Sequence, residues 1–221
     1  MIRTLIAPLL FGAALQATPL AAQAPAGEDA DQAVKGGGTL PAGWTARPDG
    51  EGDLKNVKVA PMGQGLHVTL GPAIILYREN TKGSGPFHTL ATFTQTKKLK
   101  HAEGYGLFFG GRALDGPGQK YTYFLVREDG SFLVKQRDGG KTTDVSKGWV
   151  QHPAVHKADA KGTSTNLLEV DAKVDSSKVT FKVNGQDVLT TDSKTLAVDG
   201  IVGMRVNHTL DLHIEGFDVH R

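Results

Sequence analysis

Over residues 87–96 the chain alternates one by one: Phe87, Thr89, Ala91, Phe93 and Gln95 fall on one side, His88, Leu90, Thr92, Thr94 and Thr96 on the other. A period of two puts successive side chains on opposite faces of a pleated strand, so this run predicts a strand with two unlike faces. The same alternation predicts strands over 121–127, 131–136, 179–183, 188–191, 201–206 and 210–219. In 166–174 it turns Leu168, Val170, Ala172 and Val174 inward and Leu167, Glu169, Asp171 and Lys173 outward. Shorter strands are expected at 57–59, 66–70 and 73–77, where the continuous Ile74-Ile75-Leu76 run suits a strand buried on both faces. Beyond the N-terminal segment no stretch has the 3.6-residue period of a helix of useful length.

Glycine turns join these runs. Asp129-Gly130 and Asn184-Gly185 supply the positive φ that tight hairpins need, and Asp115-Gly116-Pro117-Gly118 and Asp199-Gly200 mark further turns. Within 104–137, Tyr105, Leu107 and Phe109 make a bulky face, while Gly106, Phe108 and Gly110 leave the other nearly bare. Glycine inside a strand marks a bulge or a close approach by another backbone or a ligand. Pro153 predicts an irregular crossing over 149–156, and Lys97 to His101 a solvated basic corner. Leu40 and Trp44 suit an apolar plug at the start of the domain, with Trp44 in the core. About a dozen short antiparallel strands predict an all-β fold of two sheets packed face to face.

Composition narrows the picture. Of 221 residues, 39% are hydrophobic and 22% charged, and 28 glycines without a three-residue period indicate turns rather than a fibre. The formal charge of +2 gives no indication of a nucleic-acid surface. Residues 1–24 combine Arg3, an apolar run from Leu5 to Leu15 and Ala22-Gln23-Ala24, the pattern of a secretory signal peptide. The run is shorter than the roughly 20 apolar residues a spanning helix needs, so no stable membrane insertion is expected. Residues 25–39 read as a disordered linker, and 40–221 as one domain. With no cysteine there is neither disulfide nor lipidated cysteine, which points to a free exported protein, periplasmic or extracellular.

The succession Leu-Pro-Ala-Gly-Trp (40–44), Gly-Tyr-Gly-Leu-Phe-Phe-Gly-Gly (104–111), Tyr-Thr-Tyr-Phe-Leu-Val-Arg-Glu-Asp-Gly (121–130), Asn-Leu-Leu-Glu-Val (166–170), Val-Thr-Phe-Lys-Val-Asn-Gly (179–185) and Val-Gly-Met-Arg-Val (202–206) resembles the concanavalin A-like lectin/glucanase superfamily. Within it the chain is similar to bacterial exported laminin-G-like modules and to 3-keto-disaccharide hydrolase domains. The resemblance implies a jelly-roll sandwich, a C-terminal strand at a sheet edge, and carbohydrate binding, adhesion or glycan cleavage as functions.

Sugar rings stack on aromatics, and their hydroxyls pair with amides, carboxylates and guanidinium groups. Tyr121, Tyr123 and Arg127 share one strand face and are the first candidates for glycan binding. Arg112 and Gln136 are expected to join them from neighbouring strand ends, and Trp149 offers a second platform. The expected role is a non-catalytic carbohydrate-binding module; a glycoside hydrolase and an adhesive envelope module are the alternatives. Retaining hydrolysis needs two carboxyl groups about 5 Å apart. Asp211-Leu-His-Ile-Glu215 echoes the Glu-x-Asp-x-Glu strand motif of the superfamily's glucanases, but with Asp first and His in the middle, and Glu169 with Asp171 forms another same-face pair. Asp115, Glu103 and His101 lie near glycine loops. None has diagnostic spacing, so no catalytic residue and no cofactor are assigned. His152 and His156 have helical metal-ligand spacing without a helix, and no Asp-rich calcium loop is present, so no metal is expected.

Overall fold

The computed structural model describes residues 34–50, 52–173 and 177–221. Sixteen strands follow in chain order: β1 (Gly37–Gly38), β2 (Thr45–Pro48), β3 (Val57–Met62), β4 (Gly65–Leu70), β5 (Ile74–Gly83), β6 (Phe87–Gln95), β7 (Tyr105–Arg112), β8 (Lys120–Arg127), β9 (Ser131–Asp138), β10 (Lys141–Asp144), β11 (Val150–Gln151), β12 (Ser164–Lys173), β13 (Lys178–Val183), β14 (Gln186–Asp192), β15 (Gly200–Val206) and β16 (Asp211–His220). Two short 3₁₀ turns, Leu54–Asn56 and Ser193–Thr195, are the helical elements among the described residues. None of these is long and apolar enough to cross a membrane, and the signal-like segment 1–24 lies outside the described residues.

The strands form two sheets. The first runs β1-β3-β4-β16-β6-β12-β13-β14 and the second β10-β9-β8-β7-β15-β5-β2, with β11 paired to β9. Every pairing is antiparallel except the short β1–β3 contact, which starts the first sheet at Gly37. Between the sheets lies one core, to which the first sheet gives Val68, Phe93, Val170, Phe181 and Leu212, and the second Leu76, Tyr105, Leu107, Phe109, Phe124 and Met204. Phe124 and Phe181 meet across it, with centroids 5.2 Å apart. Gathering these side chains is what drives the alternating runs together.

The predicted turns close as expected. Asn184 and Gly185 both adopt positive φ, 50° and 77°, and join β13 to β14. The Asn184 amide donates to the carbonyl of Ala154 and to Asn166 Oδ1 while its own oxygen accepts from the Leu167 N–H, so the hairpin also fixes the irregular loop after β11. That loop carries His152 and His156. Each has its Nδ1 engaged with backbone, which orients the ring within the loop.

The structure departs from the sequence reading in the short strands, β1 (37–38) lying inside the segment read as a disordered linker and pairing with β3, and in two further features. The C-terminal strand β16 sits inside the first sheet, between β4 and β6, rather than at an edge. Its polar face is solvated because an antiparallel sheet buries only one side, so polarity gave no sign of its neighbours. The other is an additional cluster on the outer face of the second sheet: Ile75, Tyr77, Phe108, Leu114, Tyr121, Tyr123, Leu125, Leu133 and Ile201. Ile74 and Leu76 face the central core while Ile75 and Tyr77 face this cluster, so β5 is buried on both sides as its apolar run predicts.

Candidate functional site

The outer face of the second sheet is built by odd-numbered positions of β8. Thr122, Phe124 and Val126 are buried on its core side, and Tyr121, Tyr123, Leu125 and Arg127 point outward. Register places Tyr123 beside Phe108 on β7 and Lys135 on β9, and Leu125 beside Gly106, which in turn faces Arg205 on β15. Arg205 is the charged member of a strand whose neighbours Met204 and Val206 are core.

This face is curled. Arg47, on the edge strand β2, donates through Nη1 to Gln119 Oε1 at 2.6 Å and through Nη2 to the Gly116 carbonyl at 3.2 Å. Gln119 immediately precedes β8, and β5, β15 and β7 lie between β2 and β8. Four strand spacings of about 4.8 Å would separate these groups by about 19 Å in a flat sheet, beyond any arginine's reach. The sheet therefore bends until its edge meets the turn before β8.

Asp49, just past β2, sits at the centre of this meeting and is only 3% exposed. Its Oδ2 accepts from Arg137 Nη1 at 3.0 Å and from Arg205 Nε at 2.8 Å, with Arg205 Nη2 at 2.7 Å. The Tyr121 hydroxyl donates to Oδ1. Burial works against charge on Arg205, but Asp49 beside it outweighs that, and the guanidinium is held above its usual range. Burial also pushes the Tyr121 phenol upward, so it remains a neutral donor to the carboxylate. Arg205 lies over the Tyr123 ring, Cζ 4.6 Å from the centroid, and passes Nη1 to Asn207 Oδ1 at 2.6 Å. Asn207 donates to Glu103 Oε2 at 3.1 Å, and Glu103 Oε1 lies 3.1 Å from His208 Nε2. One polar chain thus runs from Arg137 to His208 across the face.

The six sequence candidates separate into two groups. Tyr121, Tyr123, Arg127 and Trp149 share the outer face. Tyr121 is 1% exposed and packed against Phe108 and Tyr123, so its ring offers no open surface for stacking. Trp149 is half-buried over Gly104, where a Cβ would stand 2.8 Å from the indole; glycine is required there for the ring to settle. Arg127 caps that indole at 4.4 Å and is held by Asp129 and Ser131. Gln136 and Arg112 go elsewhere. Gln136 is on the core-facing side of β9 and donates to the Thr195 carbonyl at 2.8 Å, while Arg112, at the end of β7, reaches the Asp199 carbonyl. Both clasp segment 193–199.

Asp49, Arg137, Arg205, Glu103 and Asn207 form the network. A lone Arg between Met204 and Val206 is a readable sign of a buried, paired charge. Asp49 in Arg-Pro-Asp-Gly reads as a turn residue and gives no such sign.

The opposite face, on the first sheet, carries the carboxylates raised as catalytic alternatives. Asp211 Oδ1 lies 2.9 Å from His67, Glu215 Oε1 2.8 Å from His213, and Glu169 Oε2 3.0 Å from His88. Asp211 is held below the usual carboxylate range: burial opposes this, but hydrogen bonds from Thr96 and Thr69 and the adjacent His67 prevail. Among the described residues, no three His, Asp or Glu side chains are arranged to hold a metal ion.

No protein-family model and no curated protein sequence matches the chain. Solved structures do. The carbohydrate-binding module CBM66 from Bacillus subtilis superposes with a TM-score of 0.59 at 12% identity, over 81% of this chain and 96% of that one. The metal-free carbohydrate recognition domain of Emp46p gives 0.53 at 12% identity, over 81% and 88%. The corresponding domain of Emp47p gives 0.50 at 12%, over 86% and 94%. The fold is a two-sheet antiparallel β-sandwich of the architecture these carbohydrate-binding and carbohydrate recognition domains have. At such identity the likeness establishes architecture, and chemistry has to be argued from side chains.

Proposed function

We propose that this chain is an exported carbohydrate-binding module without catalytic activity, and that its glycan lies on the outer face of the second sheet. The observation that carries this reading is the Asp49 network. Arg137 and Arg205 are oriented by one buried carboxylate, and the N–H groups they do not spend on Asp49, on the Gly139 carbonyl and on Asn207 are left as a fork of donors held on rigid strands. Such planar donors suit adjacent sugar hydroxyls, and orientation before binding lowers the entropy lost on association. Tyr123 and Tyr121 support the fork from beneath, and Trp149 with Arg127 extends the surface. The structural neighbours named as carbohydrate-binding and carbohydrate recognition domains support the same class of ligand. Export rests on residues 1–24.

A hydrolytic role is less well supported. Asp49 is committed to two guanidiniums and a phenol, and Asp211, held below its usual range, would not retain the proton a general acid donates. The test is a broad glycan screen of the full chain with product analysis. Retention of a polysaccharide or oligosaccharide without sugar release supports the reading. Sugar release abolished by one carboxylate replacement would favour the hydrolase, including the 3-keto-disaccharide type, and no retention on any glycan the adhesive module.

A further inference from the structure

Segment 193–199 forms one wall of a cleft of about 370 Å3 whose lining shares no residue with the Asp49 network. Its floor is apolar: Ala172 and Leu196 are buried, and Ala197 and Val198 half-buried. Its rim is cationic, with Arg112, Lys178 and Lys194 facing the single carboxylate of Asp199. Asp199 Oδ1 accepts the Gly85 N–H at 3.2 Å. Lys178 and Lys194 are exposed, and no side-chain ion pair engages either ammonium among the described residues. Arg112 directs Nε and one Nη2 hydrogen to the Asp199 carbonyl at 3.4 and 3.3 Å, leaving three of its five N–H groups free.

The wall is firmly seated. Gly110 has φ 68°, and a Cβ there would stand 2.0 Å from the Ala197 carbonyl oxygen, so this glycine lets the segment lie directly on β7. Gln136 holds the Thr195 carbonyl from the other side. The cleft is therefore preformed, with a surplus of two positive charges above an apolar floor.

We propose that this cleft binds the acid group of an anionic saccharide, a uronate carboxylate or a sulfate ester, with the C–H face of the sugar ring on Ala172, Leu196 and Val198. Arg112 supplies a planar fork for the anion, and Lys178 and Lys194 act as point charges beside it. The inference rests on the reading of the chain as a glycan binder and adds a second, charge-selective subsite to it. Charge attraction at an exposed rim is screened by salt, so the contribution weakens as ionic strength rises.

The experiment titrates the full chain with an oligogalacturonate, a sulfated oligosaccharide and a neutral oligosaccharide of equal length, following backbone amides by NMR. The expected result is perturbation at Gly85, Lys178 and Lys194 by one or both acidic sugars and not by the neutral one. The paired substitution Lys178→Gln with Lys194→Gln, both exposed and outside the Asp49 network, should weaken acidic binding at least about fivefold. Unchanged affinity in that variant, or acidic-sugar shifts confined to β8, β9 and β15, overturns the subsite. Neutral-glycan binding with no acidic-sugar response at the cleft overturns it too and leaves the Asp49 face standing. Acidic-sugar binding at the cleft with no glycan response at the Asp49 face upholds the subsite and removes the other reading. The response of the carboxylated against the sulfated probe identifies which acid group the cleft takes.

Discussion

Arg205 is held between two partners of opposite character: its guanidinium lies 4.6 Å above the Tyr123 ring, and its Nη2 lies 2.7 Å from Asp49. An aromatic face and a carboxylate both favour cation, so the side chain is fixed in position and charge. Asp49 in turn joins β2 to β8, β9 and β15 across a curled sheet.

Replacing Asp49 with Ala leaves Arg137 and Arg205 without their shared carboxylate and frees the Tyr121 hydroxyl. Breaking such a buried pair from one side costs about 3–5 kcal/mol. Urea unfolding of Asp49→Ala should show a loss of that order. A change within about 0.5 kcal/mol, usual for surface substitutions, would mean the network contributes little to folding.

All four tyrosines, Tyr77, Tyr105, Tyr121 and Tyr123, are pushed above the usual phenol range, burial being the largest cause in each. A group with a raised folded-state value gives stability that is complete below its unfolded value of about 10 and lost as pH rises toward the folded one. Absorbance at 295 nm should therefore show no tyrosinate step near pH 10 while circular dichroism remains native. Ionisation should instead accompany alkaline unfolding. A reversible step near pH 10 in folded protein contradicts this burial.

Asp211 shifts the other way. Its stabilisation is present above the ordinary carboxylate value of about 4 and disappears as pH falls through its lowered folded value. Asp211→Asn should be less stable than the parent at neutral pH, and the two should converge in acid. Parallel stability curves down to pH 2 would show that Asp211 gains nothing from Thr69, Thr96 and His67.

Gly110→Ala tests the seating of segment 193–199. The added methyl meets the Ala197 carbonyl at positive φ, and neither the backbone of β7 nor the segment gives way cheaply. The expected loss is more than 1 kcal/mol, with amide shifts concentrated at 193–199. A neutral substitution would mean the segment stands off the strand.

The strands were legible wherever one face is core and the other solvated, as in 87–96 and 166–174, because burial itself imposes the period of two. Short edge strands were not. β2 contains Pro48, which argues against a strand interior, and β10 is Lys-Thr-Thr-Asp, exposed throughout and without contrast between faces. The face bearing Tyr121, Tyr123 and Arg127 was legible from alternation, but its burial was not, because its cover includes Asp49, 72 positions away from Tyr121. Arg112 and Gln136 were readable as strand-end polar residues. Their destination depends on where segment 193–199 crosses the sandwich, which no local pattern encodes.

The central claim is that glycan is held by the guanidinium fork on Asp49. Titration of a glycan retained in the screen against the parent chain and Arg137→Gln, with folding of both checked by circular dichroism, tests it most directly. The account predicts at least about fivefold weaker binding by the variant, the loss of one or two hydrogen bonds at about 0.5–1.5 kcal/mol each. Equal affinity for the two proteins would contradict it.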